Sequence, residues 1–268
     1  MTDRNTSLQR PRIAVHKFAS CDGCQLAFLN AGEALLTLAQ RVDIVHFAEA
    51  GWLDPLAEVD VAFVEGSIST PHDAERIRAV RASAKYLVTL GACATAGGLQ
   101  ALRNGIRESA NWVADIYASP QYIESLPESR PISAHVKVDL EIWGCPVTTE
   151  QVLGATASLL NGVTPANPGE PVCVECKRRG HACVVVTQSA PCMGPVTRTG
   201  CGALCPGVGR ACYGCFGPAE LPNVVSMAKQ FERSGLGKRD VARRFLFITS
   251  TAQPFAGIGQ QYKEKEHD

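Results

Sequence analysis

The stretch 12-RIAVHKFASCDGC-24 decides how the first half of this chain is read. Residues 12–18 form a short strand pattern of apolar and polar side chains, and they run straight into a loop that holds Cys21 and Cys24. The same sequence of strand, small residues and cysteine recurs further along. Residues 86–90 (YLVTL) predict a strand that ends at Gly91-Ala92-Cys93, and residues 136–143 predict one that ends at Gly144-Cys145-Pro146. Two more strands are predicted at 42–47 (VDIVHF) and 59–64 (VDVAFV), the second ending at Glu65-Gly66-Ser67. Helical spacing of Leu26, Leu29, Leu35, Leu36 and Leu38 predicts a helix over 25–40, with others at 72–83 and 148–160. Strands alternating with helices predict an α/β fold with a parallel sheet covered on both faces. In such sheets ligands sit beyond the carboxyl ends of the strands. Cys21, Cys24, Cys93 and Cys145 all lie just past predicted strand ends, so they are expected to meet at one sheet edge.

Residues 161–171 (NGVTPANPGEP) read as a proline- and glycine-rich linker, which divides a domain at 1–162 from one at 163–268. Beyond it cysteine spacing replaces periodicity: Cys173, Cys176, Cys183, Cys192, Cys201, Cys205, Cys212 and Cys215 follow the pattern C-x2-C-x6-C-x8-C-x8-C-x3-C-x6-C-x2-C. Such a segment, with glycine and proline between the thiols, is expected to lack a hydrophobic core and to fold around metal–thiolate bonds. A helix is predicted at 224–234, a charged mobile tail at 260–268, and mixed helix and loop over 103–130.

The chain has 268 residues with 26 basic and 26 acidic side chains, so no global field recruits nucleic acid or an anionic membrane. Residues 1–12 are polar, without the apolar run of a secretory signal or a twin-arginine pair, and no stretch is apolar enough to span a bilayer. A cytoplasmic location is the expectation. In a reducing cytosol, disulfides explain twelve cysteines poorly. Twelve divides into three sets of four, and four thiolates are what one cubane iron–sulfur cluster takes. Zinc is the serious competitor, above all for the second block. A thioredoxin-type pair at Cys21 and Cys24 would not need Cys93 and Cys145, and the ferredoxin run C-x2-C-x2-C-x3-C-P does not occur.

The motifs together resemble the small, electron-transferring subunit of [NiFe] hydrogenases. The resemblance spans residues 12–218 and rests on Cys21-x-x-Cys24, Val64-Glu65-Gly66-Ser67-Ile68, Gly91-Ala92-Cys93-Ala94-Thr95-Ala96-Gly97-Gly98 and Gly144-Cys145-Pro146. In the second half it rests on Cys192-Met-Gly-Pro195-Val-Thr197 through Cys201, and on Gly209-Arg-Ala-Cys212-Tyr-Gly-Cys215. It implies a flavodoxin-like first domain followed by a loop-rich iron–sulfur domain. Three [4Fe-4S] clusters are implied: proximal on Cys21, Cys24, Cys93 and Cys145; distal on Cys173, Cys176, Cys183 and Cys192; medial on Cys201, Cys205, Cys212 and Cys215. The spacing of Cys183 to Cys192 departs from the family's usual one. Implied partners are a nickel–iron large subunit and a flavin- or iron–sulfur-containing diaphorase-type acceptor subunit. No residue of this chain is expected to carry out bond chemistry.

Two departures point to a subtype. Cys173 stands where many respiratory relatives have histidine, and Cys205 adds a fourth medial thiolate. An all-cysteine set titrates lower, which suits reversible exchange with nicotinamide or ferredoxin. Gly23 and Gly98 stand where oxygen-tolerant relatives carry extra cysteines. A soluble group 3-type enzyme of the sulfhydrogenase, NAD(P)-linked or methyl viologen-reducing kind is expected. Glu65 is either a support behind the proximal ligands or a solvated carboxylate at a strand end; His16 is expected to be packed and His181 unnecessary as a ligand. Two rival readings stand beside this one: the cluster subunit of a complex I-like NADH:quinone oxidoreductase, and a zinc-stabilised interaction module.

Overall fold

A computed structural model describes residues 10–104 and 109–264. The strands are β1 (Arg12–Lys17), β2 (Asp43–Phe47), β3 (Trp52–Leu53), β4 (Val59–Glu65), β5 (Ala84–Leu90) and β6 (Leu140–Ile142). They form one sheet in the order β3-β2-β1-β4-β5-β6. All neighbours are parallel except β3, which adds an antiparallel edge that the sequence pattern did not signal. The five parallel strands follow the flavodoxin-like winding, with the chain reversing direction across the sheet between β1 and β4. β4 is covered on both faces and is correspondingly a near-continuous apolar run.

The first-half helices are α1 (Gly23–Leu29), α2 (Glu33–Ala39), α3 (Pro71–Ser83), α4 (Gly91–Ala96), α5 (Ser109–Ile116) and α6 (Thr149–Leu160). On one face Phe28 of α1 and Val152 of α6 pack against Val15, Phe63 and Val88; on the other, Ile77 and Val80 of α3 pack against Ala62, Val64 and Leu87. Local chemistry starts these helices. Thr70 caps α3 by accepting from Asp73 N–H at 3.1 Å, with Pro71 in the first turn, and Thr148 with Gln151 forms a reciprocal capping box on α6.

Four expectations need correction. The single helix at 25–40 is two, because the chain turns at residues 30–32 with Gly32 at φ 56°. The strand at 136–143 shortens to Leu140–Ile142. There Asp139 closes the ladder on both sides: its N–H donates to Leu87 O and its carboxylate accepts from Leu87 N–H, each at 2.9 Å. The second half also has a hydrophobic core of its own. Its helices are α7 (Val172–Arg178), α8 (Val184–Gln188), α9 (Leu204–Gly207), α10 (Val224–Arg233), α11 (Lys238–Phe245) and α12 (Phe255–Glu264). Phe231, Phe245 and Phe255 of the last three stack in series at 6.0 and 5.7 Å, and Met193, Val196, Cys192 and Cys212 bury against them. The predicted mobile tail is therefore helical to Glu264, with Tyr262 buried; residues 265–268 and 105–108, and most of the polar N-terminal stretch (1–9), lie outside the described residues.

The linker is pinned to both halves. Asn167 Nδ2 donates to Glu141 O at 3.1 Å, Thr199 N–H donates to Glu170 O at 2.8 Å, and the Arg198 guanidinium lies 5.7 Å over the Trp143 ring. Among the described residues no helix is long and apolar enough to cross a membrane.

Candidate iron–sulfur site

The first cysteine set is assembled by the ends of three strands, with a fourth strand end behind it. β1 leads into Cys21 and into α1, which carries Cys24; β5 leads into α4, which carries Cys93; β6 leads to Cys145. Glu65, the last residue of β4, is only 1% exposed and receives two backbone donors at the start of α1: Cys24 N–H at 3.1 Å and Gln25 N–H at 3.0 Å. The solvated-carboxylate reading of Glu65 therefore falls. Burial raises its proton affinity above the usual carboxylate range, and the two amides work against that rise. Asp22 holds the loop from outside, bonded to Lys17 Nζ at 2.6 Å and to the Ser20 hydroxyl at 3.1 Å. Ala92 N–H donates to Gly144 O at 2.7 Å, tying the Cys93 loop to the Cys145 loop. Gly91, at φ 80°, is the close approach: a Cβ there would stand 2.3 Å from Cys24 Sγ.

Electrostatics groups the four thiols. Cys93 has Cys145 and Cys21 as neighbours, Cys24 has Cys93 and Cys145, and Cys145 has Cys21. Burial pushes Cys24 and Cys145 up, and Cys93 to about 11. Such thiols keep their protons at neutral pH unless positive charge replaces them, and bound metal is the group that does so. Cys21 and Cys145 are exposed, so the set opens on the molecular surface.

The second block separates into two further sets. Cys173 and Cys176 lie on α7, Cys183 caps α8 and Cys192 follows; burial pushes Cys173 to about 11, and its neighbours are Cys192, Cys176 and Cys183. A Cβ on Gly194 would stand 3.4 Å from Cys192 Sγ and 3.5 Å from Cys173 Sγ, so the bare backbone lies directly against these sulfurs. In the other set, Cys215 has Cys212, Cys201, Cys145 and Cys205 as neighbours, and burial pushes it to about 12. Cys212, also pushed to about 12 by burial, accepts from Gly214 N–H at 3.5 Å. Cys145 is a neighbour of Cys215, and Cys192 a neighbour of Cys212. The donor chemistry fits iron–sulfur clusters: three thiol quartets, amides aimed at sulfur, and bare glycine backbone against the sulfurs. Among the described residues no three His, Cys, Asp or Glu side chains converge at single-ion distance.

Sequence reasoning missed Glu175. It lies inside the Cys173–Cys176 turn, and its carboxylate accepts from Gly200 N–H at 3.2 Å and Ala203 N–H at 3.1 Å, the two sides of the Cys201 loop. The only local signal is an acid within a C-x-x-C pair, which says nothing of a loop 25 residues away. Thr197, read in the sequence only as part of a motif, donates its hydroxyl to Met193 O at 2.8 Å and lies beside Cys212 Sγ. His16 is packed as expected, with its ring centroid 4.6 Å from that of His46. His181 rests against Gly207, next to the α9 turn that bears Cys205.

Comparison with known proteins follows this layout. Residues 21–159 match the family model of the NADH ubiquinone oxidoreductase 20 Kd subunit. Over 233 residues the chain is 34% identical to sulfhydrogenase 2 subunit delta of Pyrococcus furiosus, covering 87% of this chain and 97% of that protein. An NAD+-reducing [NiFe]-hydrogenase structure in the H2-reduced state superposes with TM-score 0.55 at 30% identity, over 60% of this chain and 96% of the other. An actinobacterial-type NiFe-hydrogenase from Ralstonia eutropha H16, at 17% identity, shares the fold over 98% of this chain and 92% of its own, with TM-score 0.58.

Proposed function

Because the chain belongs to the family of the NADH ubiquinone oxidoreductase 20 Kd subunit, we propose that it serves as the iron–sulfur small subunit of a group 3-type [NiFe] hydrogenase. In this role it relays electrons between a nickel–iron large subunit and a flavin- or iron–sulfur-containing acceptor subunit. The observation that carries the reading is the second cysteine block, eight thiols that lie beyond residue 159 where the family model ends. A relative named as a hydrogenase subunit matches across 87% of the chain, well past that limit. The complex I-like alternative explains the first half and leaves eight cysteines without a task.

Three [4Fe-4S] clusters would supply single-electron carriers: proximal on Cys21, Cys24, Cys93 and Cys145; medial on Cys201, Cys205, Cys212 and Cys215; distal on Cys173, Cys176, Cys183 and Cys192. The chain's own residues do the rest. Buried thiols give up protons as they become ligands, so loading is favoured by rising pH. Amides at Gly214 and Cys212 donate to sulfur and stabilise its negative charge. Glu65 and Glu175 hold the loops bearing Cys24 and Cys201, and the Phe231–Phe245–Phe255 core keeps water from Cys192 and Cys212. Ligands that are all cysteine favour a low-potential, reversible path, consistent with a cytoplasmic enzyme.

The test is metal and sulfide analysis of the complex purified without oxygen. About twelve irons per chain, with matching acid-labile sulfide and a co-purifying nickel protein, are expected. Zinc at a few per chain without visible absorbance would replace the relay with the zinc-stabilised module.

A further inference from the structure

Near both second-half cysteine sets lies a pocket of about 360 Å³, with Pro191, Tyr213 and Phe247 among its walls and Asp240, Arg243 and Arg244 along one side. Pro191 immediately precedes Cys192, and Tyr213 immediately follows Cys212. The pocket therefore touches the chain one residue from a thiol of each set. Its aromatic walls face solvent: Tyr213 and Phe247 are 39% and 41% exposed, with ring centroids 6.4 Å apart and planes tilted by 50°. Exposed ring faces of this kind are stacking surfaces for flat aromatic molecules. Arg243 is engaged with Asp240 at 3.5 Å. Arg244 lies 5.3 Å from the Tyr213 ring, and its Nη1 is buried without a hydrogen-bond partner among the described residues. A shielded guanidinium nitrogen without an acceptor is costly, and an anionic group brought to this wall removes the cost.

We propose that this pocket binds a planar aromatic anion, its ring on Tyr213 and Phe247 and its phosphate, sulfonate or carboxylate at Arg244, and that the bound molecule draws electrons from the adjacent cysteine sets. The second clause rests on the relay reading; the binding does not. The volume suits a small-molecule site. The reaction balances with flavin mononucleotide as the acceptor. Hydrogen oxidised at the large subunit yields two electrons and two protons; the flavin takes two electrons, delivered singly, and two protons. A dication such as methyl viologen has neither the anionic group nor a reason to prefer this wall.

The experiment uses the intact complex purified without oxygen. Binding of flavin mononucleotide is read by quenching of its fluorescence with hydrogen absent. Saturable binding is expected, weakened at least tenfold by Arg244→Gln and by Phe247→Leu. Lumiflavin, which has the same ring and no phosphate, should bind the unaltered complex about tenfold more weakly and be indifferent to Arg244→Gln. Under hydrogen, the KM for flavin mononucleotide should rise in step with the binding constant, while methyl viologen reduction and the visible cluster spectrum stay within twofold. No saturable binding, or unchanged binding in both variants, overturns the proposal. So does an equal fall in both dyes, which would place these residues in cluster support. Loss of hydrogen-driven viologen reduction in the unaltered complex would instead sink the relay reading, and the fluorescence measurement would still decide the pocket.

Discussion

The backbone N–H of Cys212 donates to Sγ of Cys192 at 3.2 Å, and Met193 N–H returns a bond to Cys212 O at 3.1 Å. These two bonds stitch the last residue of one quartet to the centre of the other. A thiolate that accepts an amide is stabilised, so each set contributes to the electrostatics of its neighbour. Cys192→Ala should therefore cost more than its own quartet. Iron analysis is expected to fall by more than about four per chain, whereas Cys183→Ala, exposed at the rim, should lose about four. Equal losses in both variants would show the two sets to be independent.

Glu175 gives a second prediction, about stability. Its two amide bonds are charge-assisted, and Glu175→Ala strands Gly200 and Ala203 N–H. Because Glu175 is only partly buried, a loss of about 2 kcal/mol is expected. For a chain of this size that lowers Tm by roughly 4–8 °C. Glu175→Gln keeps one acceptor oxygen and should fall between. A melting temperature unchanged in the alanine variant would show that water replaces the carboxylate.

Gly91 tests the cradle around Cys24. Alanine at φ 80° is strained, and its Cβ would overlap Cys24 Sγ. Gly91→Ala should remove the first set alone, leaving about eight of twelve irons and the second-half signals intact. Full iron content in this variant would mean that the site relaxes around the methyl group.

His16 makes the acid side of the stability curve steeper. Burial first, then the neighbouring charges of His46 and Arg76, lower it from 6.5 to about 3. The unfolded chain thus binds a proton that the folded one refuses between those values. Stability is full above pH 6.5 and is lost as pH falls toward 3, by an amount on the order of 2–5 kcal/mol. His16→Phe should remove this slope, so its stability relative to the unaltered protein should improve steadily from pH 6.5 downward. Parallel curves over that interval would show that His16 is protonated in the folded state.

Much of the site was legible because it follows local rules. Strands ending in Gly91-Ala92-Cys93 and Gly144-Cys145 carry their own chemistry, and parallel topology brings strand ends together whatever the helices between them do. What resisted reading was set by distant packing. The tail expected to be mobile from 260 is part of a helix at 255–264, and a Cβ on Gly259 would stand 2.5 Å from Leu246, so the glycine is what lets α12 lie against the end of α11. Glu65 had two readings of equal standing until the helix carrying Cys24 was seen to place two amides over it.

By itself, then, the amino-acid sequence determined the alternating strands and helices of the first half, the twelve thiols, and the place of Cys21, Cys24, Cys93 and Cys145 past strand ends. Periodicity and turn chemistry act over a few residues, and those features need no more. Only the tertiary structure decided that the second half owns a phenylalanine core, that Glu65 and Glu175 each hold a cysteine loop, and that Cys212 N–H reaches Cys192 Sγ. Those relationships join residues far apart in the chain. They arise from burying surface and satisfying backbone donors across that distance, and no local pattern encodes which donors will need which carboxylate.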